Sequence, residues 1–141
     1  MLKKIIAFIT LYFLSISCFG LFDAGSRDIT AGYELSWIDL PEENQFINNK
    51  SGEGVISSHV YAVGFNNNFI IAKQYPKTKN FVHRNKTNYF IIEVRKGNII
   101  GPINKNAFEK KRRELKIDDI KFITLRLIKK IWILIMKIFN L

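Results

Sequence analysis

The chain has 141 residues, one cysteine and a formal net charge of +10. This length fits one domain with a core of modest size, and a lone cysteine excludes both an internal disulfide framework and a cysteine-based metal site. The charge is unevenly spread: residues 18–104 carry nine basic and eight acidic side chains, whereas residues 105–141 carry eleven basic and four acidic ones. The body of the chain is therefore nearly neutral, and the net charge does not by itself indicate a nucleic-acid partner.

The first residues have the pattern of an export signal. Lys3 and Lys4 precede an apolar run from Ile5 to Ile16, which is shorter than the roughly 20 residues that a helix needs to cross a bilayer core. The run ends at Cys18. This pattern predicts an export signal rather than a permanent membrane span.

The end of that run, Leu14-Ser15-Ile16-Ser17-Cys18, resembles the lipobox of bacterial lipoproteins. In that family a lipid is attached to the cysteine thiol, the peptide before it is removed, and the new amino terminus is acylated. The resemblance implies a signal peptide over residues 1–17, lipid attachment at Cys18 and a location in the cell envelope. Ser15 stands where the family usually has leucine, so an ordinary cleaved secretory signal and a retained anchor stay open as alternatives.

The first half of the remaining chain predicts a linker and the start of a sheet. Residues 18–32 are rich in small side chains, which favours a linker. Apolar and polar residues then alternate from Tyr33 to Ile38, which indicates a half-buried strand. Residues 39–54 are polar and rich in turn formers, and we interpret them as a long loop.

Two hairpins follow. The stretches Val55–Phe65 and Phe69–Tyr75 flank three asparagines, a residue that tolerates the positive φ angles of tight turns. After a polar, basic connection over residues 76–87, a second hairpin is predicted from Asn88–Val94 and Ile99–Gly101. The fold class is therefore α+β: an antiparallel meander of about five strands in a domain spanning residues 33–119.

The C-terminal part predicts helix. Residues 105–116 are charged helix formers, and Asn104 or Asn106 can cap their start. Phe108 and Leu115, seven positions apart, are expected to cover the sheet, while a run of four basic residues points mostly outward into solvent, namely Lys110, Lys111, Arg112 and Arg113.

The tail, residues 120–141, is apolar and carries five basic side chains. Those charges argue against a transmembrane span, and the pattern predicts an amphipathic, cationic helix at a membrane surface. The alternative is a strand followed by a helix that packs on the domain. A tail of the first kind would strengthen attachment by lipid.

Few residues are candidates for catalysis. His59 and His83 are the only histidines, no recurring catalytic motif is present, and neither a metal nor another cofactor is predicted. His59 is expected on a strand face with Tyr61 and Val63, where it is more simply a core histidine than a general base. Binding residues concentrate on loops, so residues 39–54 and 76–87 are the predicted partner surface.

Several stretches resemble a family of small uncharacterised bacterial lipoproteins. They are the lipobox-like start, Gly32-Tyr33-Glu34-Leu35, Tyr61-Ala62-Val63-Gly64, Phe69-Ile70-Ile71-Ala72-Lys73-Gln74, Tyr89-Phe90-Ile91-Ile92 and Gly101-Pro102-Ile103 ahead of Phe108-Glu109. The resemblance covers Cys18 to Ile117 and implies a fold and a location but no mechanism.

The resulting hypothesis is a lipid-anchored envelope protein that acts as a non-enzymatic binding or structural module. Its partners would be the membrane, through Cys18 and the tail 120–141, and a protein. Export argues against nucleic acid. One alternative is an immunity or inhibitor lipoprotein directed against a toxin or lytic enzyme. Another is a small envelope hydrolase that uses His59 with a nearby carboxylate.

Overall fold

The computed structural model describes residues 24–38 and 45–124, which form nine strands and one helix. The strands are β1 (Gly25–Thr30), β2 (Tyr33–Trp37), β3 (Phe46–Asn48), β4 (Gly54–Ile56), β5 (Val60–Phe65), β6 (Phe69–Gln74), β7 (Asn88–Glu93), β8 (Asn98–Ile103) and β9 (Ile123–Thr124). The helix, α1, spans Lys105–Leu115. The described part of the chain is therefore mostly β, and it is α+β only in the coarse sense.

The strands form two antiparallel sheets rather than one meander of about five strands. The first has the order β1-β2-β3-β4 and the second the order β8-β7-β6-β5-β9. Both predicted hairpins are confirmed: Val63 pairs with Ala72 in β5–β6, and Ile92 pairs with Ile99 in β7–β8. The single predicted strand Val55–Phe65 is wrong, because residues 57–59 interrupt it and carry the chain from the first sheet to the second.

The two sheets share one apolar core. The first sheet contributes Ile29, Tyr33, Leu35, Ile47 and Ile56, and the second contributes Val60, Val63, Ile70, Ala72, Phe90 and Ile92. Side chains alternate between the faces of a strand, so the intervening residues of the second sheet point away from this core. Ile71 and Ile91 are nevertheless fully buried.

The partner of that outer face is a second apolar cluster. Phe108 of α1 is fully buried there with Ile71, Ile91, Ile117 and Ile120, and its ring centroid lies 4.8 Å from that of Tyr89. The central strands of the five-stranded sheet, β5 to β7, are thus buried on both faces. This arrangement explains why β6 and β7 are continuously apolar at their centres, since strands buried on both faces lose the apolar–polar alternation.

The start of α1 follows from its sequence. Asn104 has an extended backbone, and its Oδ1 accepts a hydrogen bond of 2.9 Å from the amide of Ala107, which satisfies one of the free donors of the first turn. The helix ends at Leu115, and the following residue, Lys116, caps it with a left-handed backbone. The predicted N-cap Asn104 is therefore confirmed. The helix is short, and no helix in the part of the chain that the structure describes is long and apolar enough to span a membrane.

Two strands lie outside the predicted sheet domain 33–119. β1 lies in the predicted linker 18–32 and pairs with β2, so that segment belongs to a sheet from Gly25 onwards. β9 lies in the tail 120–141 and pairs with β5. Ile123 and Thr124 are therefore strand rather than part of an amphipathic helix, and a strand at this place is what the alternative interpretation expected. The rest of the tail, residues 125–141, lies outside the described residues, as do Cys18 and residues 39–44.

The sandwich has two distinct ends. The β1–β2, β3–β4, β5–β6 and β7–β8 turns all lie at one end, which we call the turn end. The opposite end, the entry end, holds Gly25 where β1 begins, the 57–59 connection and the 76–87 loop. A strand of six residues such as β5 separates the ends by about 20 Å.

Candidate functional site

A cleft lies between the four turns at the turn end. Its volume is about 540 Å³, and every turn contributes to its lining. We call it the turn-end cleft, and it is lined by Ala31, Tyr33, Asn49, Lys50, Ser51, Asn67, Val94, Arg95, Lys96 and Gly97. The lining therefore combines residues that are up to 66 positions apart in the sequence (97 minus 31).

The turns around the cleft are held by short local hydrogen bonds. In the β3–β4 turn, Asn49 Oδ1 accepts from the amides of Ser51 at 2.9 Å and Glu53 at 3.0 Å. In the β5–β6 turn, Asn66 Oδ1 accepts from the amides of Asn68 and Phe69, both at 2.9 Å. Asparagine side chains that bond to nearby amides fix a turn without a sheet partner. The cleft walls are thus preorganised.

The lining of the cleft is cationic. Lys50, Arg95 and Lys96 contribute three basic side chains, and no acidic residue is among the lining residues. Outside the lining, Glu93 Oε2 lies 2.7 Å from Lys96 Nζ. The hydrogen bond from Lys96, with a weaker one from Asn98, lowers the pKa of the Glu93 carboxyl. The Lys96 side chain is exposed, and ion pairs at a protein surface are weak, so Lys96 can leave Glu93 and bind an anion in the cleft.

Lys50 is positioned by the backbone of the neighbouring turn. Gly32 has a φ of +83° and lies directly beneath the Lys50 side chain, so that a Cβ atom at position 32 would overlap the lysine Cγ and Cε. The positive φ favours glycine here, and the missing side chain leaves room for the Lys50 stem. The contact couples the β1–β2 turn to the β3–β4 turn and places the Lys50 stem across the edge of the cleft.

These groups suit the recognition of an anion. Ammonium, guanidinium and amide groups donate hydrogen bonds to carboxylate or phosphate oxygens, and charge assistance makes such bonds stronger than neutral ones. No histidine or cysteine lines the cleft. Across residues 24–38 and 45–124, no group of three or more histidine, cysteine, aspartate or glutamate side chains could hold a metal ion.

His59 is at the other end of the molecule. It lies in the 57–59 connection with a φ of +71°, and its carbonyl accepts a 3.0 Å hydrogen bond from the Tyr75 amide. The expectation that it lies on a strand face with Tyr61 and Val63 is therefore wrong. Gln74 Nε2 fixes the same connection by donating to the carbonyls of Ser57 and Ser58. A strand length of about 20 Å separates His59 from the cleft, so it cannot act on a ligand bound there.

An aromatic cluster lies on the outer face of the second sheet. The rings of Tyr61 and Tyr75 stack with centroids 4.1 Å apart, and the Tyr61 hydroxyl bonds to Thr87 Oγ1 at 2.8 Å. Burial raises the pKa of Tyr61. Lys73 Nζ lies 4.2 Å from the Phe122 ring centroid, a cation–π contact, and burial lowers the pKa of Lys73. These contacts attach the 76–87 loop and residues 117–122 to the sheet.

The predicted partner surface is divided between the two ends. The described part of residues 39–54, which were expected to form a loop, contains β3 and the turn that brings Asn49, Lys50 and Ser51 to the cleft, and it ends at the first residue of β4. The 76–87 loop lies at the entry end, so the two loops do not form one surface. Sequence reasoning missed Arg95 and Lys96, although their place in a predicted turn was a usable signal. Arg112, expected to point outward, is instead largely buried.

The architecture defines a small two-sheet β domain with one helix and a cationic cleft built from its turns. The chain belongs to the family described as "Protein of unknown function (DUF3997)", whose model matches residues 30–126. The match therefore includes all four turns and β9. No curated protein and no solved structure matches the chain.

Proposed function

We propose that this protein is a lipid-anchored module of a bacterial cell envelope, attached through Cys18, and that it binds an anionic group of a partner molecule in the turn-end cleft. The role is binding rather than catalysis. The binding proposal rests on one observation: Lys50, Arg95 and Lys96 line the same cleft, although they come from turns of two different sheets.

The sequence pattern that ends at Cys18 supports the anchor. The fold indicates which end of the domain such an anchor would hold near the membrane. Six residues, 19–24, separate Cys18 from β1, and a chain of that length reaches at most about 20 Å. A lipid on Cys18 would therefore hold the domain close to the membrane by its entry end. The turn-end cleft would then face away from the bilayer, where a partner can reach it.

The support for an anionic ligand is the balance of groups in the cleft. Three cations, with the Asn67 amide and the Ser51 hydroxyl, line a space of about 540 Å³, which falls within the size range of small-molecule sites. A carboxylate or phosphate group would pair these donors. Because the turns are already fixed by the Asn49 and Asn66 side chains, binding orders little additional backbone.

The anchor is tested by metabolic labelling with a lipid probe. We expect the wild-type chain to carry the label and Cys18→Ala to lose it, since the thiol is the attachment point. Ser17→Ala keeps a small residue before the cysteine and serves as the matched control. Equal labelling of the wild type and Cys18→Ala would contradict the proposal.

The cleft is tested by equilibrium binding of the full chain to a fluorescein-labelled hexaglutamate peptide, followed by anisotropy. Neutralising Lys50, Arg95 and Lys96 together to glutamine should weaken binding about tenfold or more, because each charge-assisted hydrogen bond contributes roughly 1.5–3 kcal/mol when buried and less when exposed.

The matched control removes the same number of charges from the helix. Glutamine at Lys110, Lys111 and Arg113, which are exposed, changes the net charge equally but leaves the cleft intact. Affinity should then stay within about twofold of the wild type, since distant surface charges are screened. An equal loss in both triple variants would mean that the peptide senses only net charge.

A further inference from the structure

The 76–87 loop presents an exposed aromatic ring on a hydrogen-bonded turn. Phe81 is 63 % exposed, more than the other large apolar residues found exposed in the described ranges. The turn beneath it is closed by a 2.8 Å hydrogen bond from the Thr78 amide to the Phe81 carbonyl, and by the pairing of Lys77 with Val82. The ring of Phe81 also meets His83 edge-on, with centroids 5.1 Å apart.

The same loop is positively charged. Between residues 76 and 87 it carries Lys77, Lys79, Arg84 and Lys86 and no acidic residue. The domain body from residue 18 to 104 has only one net positive charge (nine basic, eight acidic), so these four cations form a local concentration. Cations that surround an exposed aromatic ring are typical of segments that lie on anionic lipid surfaces.

The position of the loop indicates which partner it meets. It joins β6 to β7 at the entry end, where β1 also begins. Ile38, at the end of β2, is 50 % exposed at this same end. Eight residues, 17–24, separate the apolar stretch Ile5–Ile16 from β1. The entry end is therefore the part of the domain that any attachment through the N-terminal segment holds nearest to a bilayer.

We infer that the entry end of the sandwich rests on an anionic lipid bilayer, with Phe81 inserted among the headgroups and the loop cations on the lipid phosphates. The inference rests on the proposed membrane location and adds a contact surface to it. The contact would set the orientation of the domain, because the 76–87 loop would be a second point of attachment to the bilayer besides the N-terminal segment. It would hold the turn-end cleft away from the lipid.

The test uses a single environment-sensitive fluorophore on the full chain. Cys18 is the only cysteine, so Cys18→Ser gives a cysteine-free background that cannot be acylated at that thiol. The fluorophore is placed at Asn80→Cys, beside Phe81. The matched position is Asn68→Cys, an asparagine that is also exposed and lies in the β5–β6 turn at the opposite end.

On vesicles of phosphatidylglycerol and phosphatidylcholine, emission from position 80 should shift to shorter wavelength and rise about twofold, and lipid-attached quenchers should reduce it. Emission from position 68 should not change. Vesicles of phosphatidylcholine alone should give a weaker response at position 80. Phe81→Ser should abolish the response, whereas Ile99→Ser, which alters an exposed apolar residue near the turn end, should preserve it.

An equal response at both positions, or none at position 80, would overturn the inference. So would an equal response to soluble hexaglutamate without vesicles, which would assign the loop to a polyanionic partner. Because the background lacks the thiol, these outcomes do not depend on acylation. If the lipid probe does not label the wild type but position 80 responds to vesicles, only the anchor at Cys18 is refuted. If the probe labels the wild type but position 80 does not respond, only the loop contact is refuted.

Discussion

Replacing Arg112 should destabilise the domain far more than replacing its neighbour Arg113. Arg112 Nη2 donates to the carbonyls of Asp118 and Ile120, both at 2.8 Å, and more weakly to that of Ile117 at 3.3 Å. Its side chain is only 12 % exposed, and the guanidinium lies 5.6 Å from the Phe108 ring centroid. One side chain thus ties α1 to the connection that leads to β9.

The magnitude follows from these contacts. Two short hydrogen bonds from a charged donor contribute roughly 1.5 kcal/mol each, so Arg112→Gln should cost about 3 kcal/mol of unfolding free energy. With a urea dependence of about 1.5 kcal/mol per molar, the unfolding midpoint should fall by about 2 M. Circular dichroism during a urea titration measures the shift.

Arg113→Gln is the matched control, since it removes the same charge from an exposed position on the same turn. Its effect should stay below about 0.5 kcal/mol, as is usual for surface substitutions. Similar midpoints for the two variants would refute the assignment of Arg112 as the link between α1 and residues 117–120.

Two further predictions concern backbone packing and pH. Gly64→Ala should cost about 1–3 kcal/mol, because the new Cβ would meet the Lys121 carbonyl. Gly54→Ala should be nearly neutral in the same urea titration, because its new Cβ would make only an ordinary contact of 3.9 Å with Asn48 Oδ1. Lys96→Met should raise the pKa of Glu93 towards its ordinary value of 4.5, because the lysine hydrogen bond lowers it. Carbon-detected NMR titration measures this pKa, and an unchanged value would refute the pairing. Since the folded pKa is depressed, the pair stabilises the fold above the ordinary carboxyl pKa and loses that effect as pH falls through the folded value.

Local signals predicted the elements that depend on neighbouring residues. The three asparagines at positions 66–68 predicted the β5–β6 turn. None of them has the positive φ that was the reason for the prediction, and the turn is fixed instead by the Asn66 side chain, which bonds to the turn amides. Asn104 predicted the start of α1 for the same reason, since a cap needs only the next three residues. These parts of the fold were accessible because the chemistry that forms them lies within a few positions of sequence.

Elements stabilised by distant partners were missed. β1 carries exposed Ser26, Arg27 and Asp28 at the edge of its sheet, so its sequence lacks the apolar alternation of a strand and resembles a linker. The pairing with β2 makes this segment a strand, although its composition gives no sign of one. Arg112 was expected to face solvent, because a run of charged residues usually forms a solvated helix face. The carbonyls that accept its hydrogen bonds belong to residues that follow the helix.

By itself, the sequence determined the hairpins, the helix and its cap, because each depends on periodicity or on contacts between near neighbours. Only the tertiary structure decided that there are two sheets, that β5–β7 are buried on both faces, and that four separate turns meet at one end. The turn-end cleft belongs to this second group. Lys50 and Arg95 are 45 positions apart (95 minus 50), and only the packing of one sheet on the other places their charges around the same space.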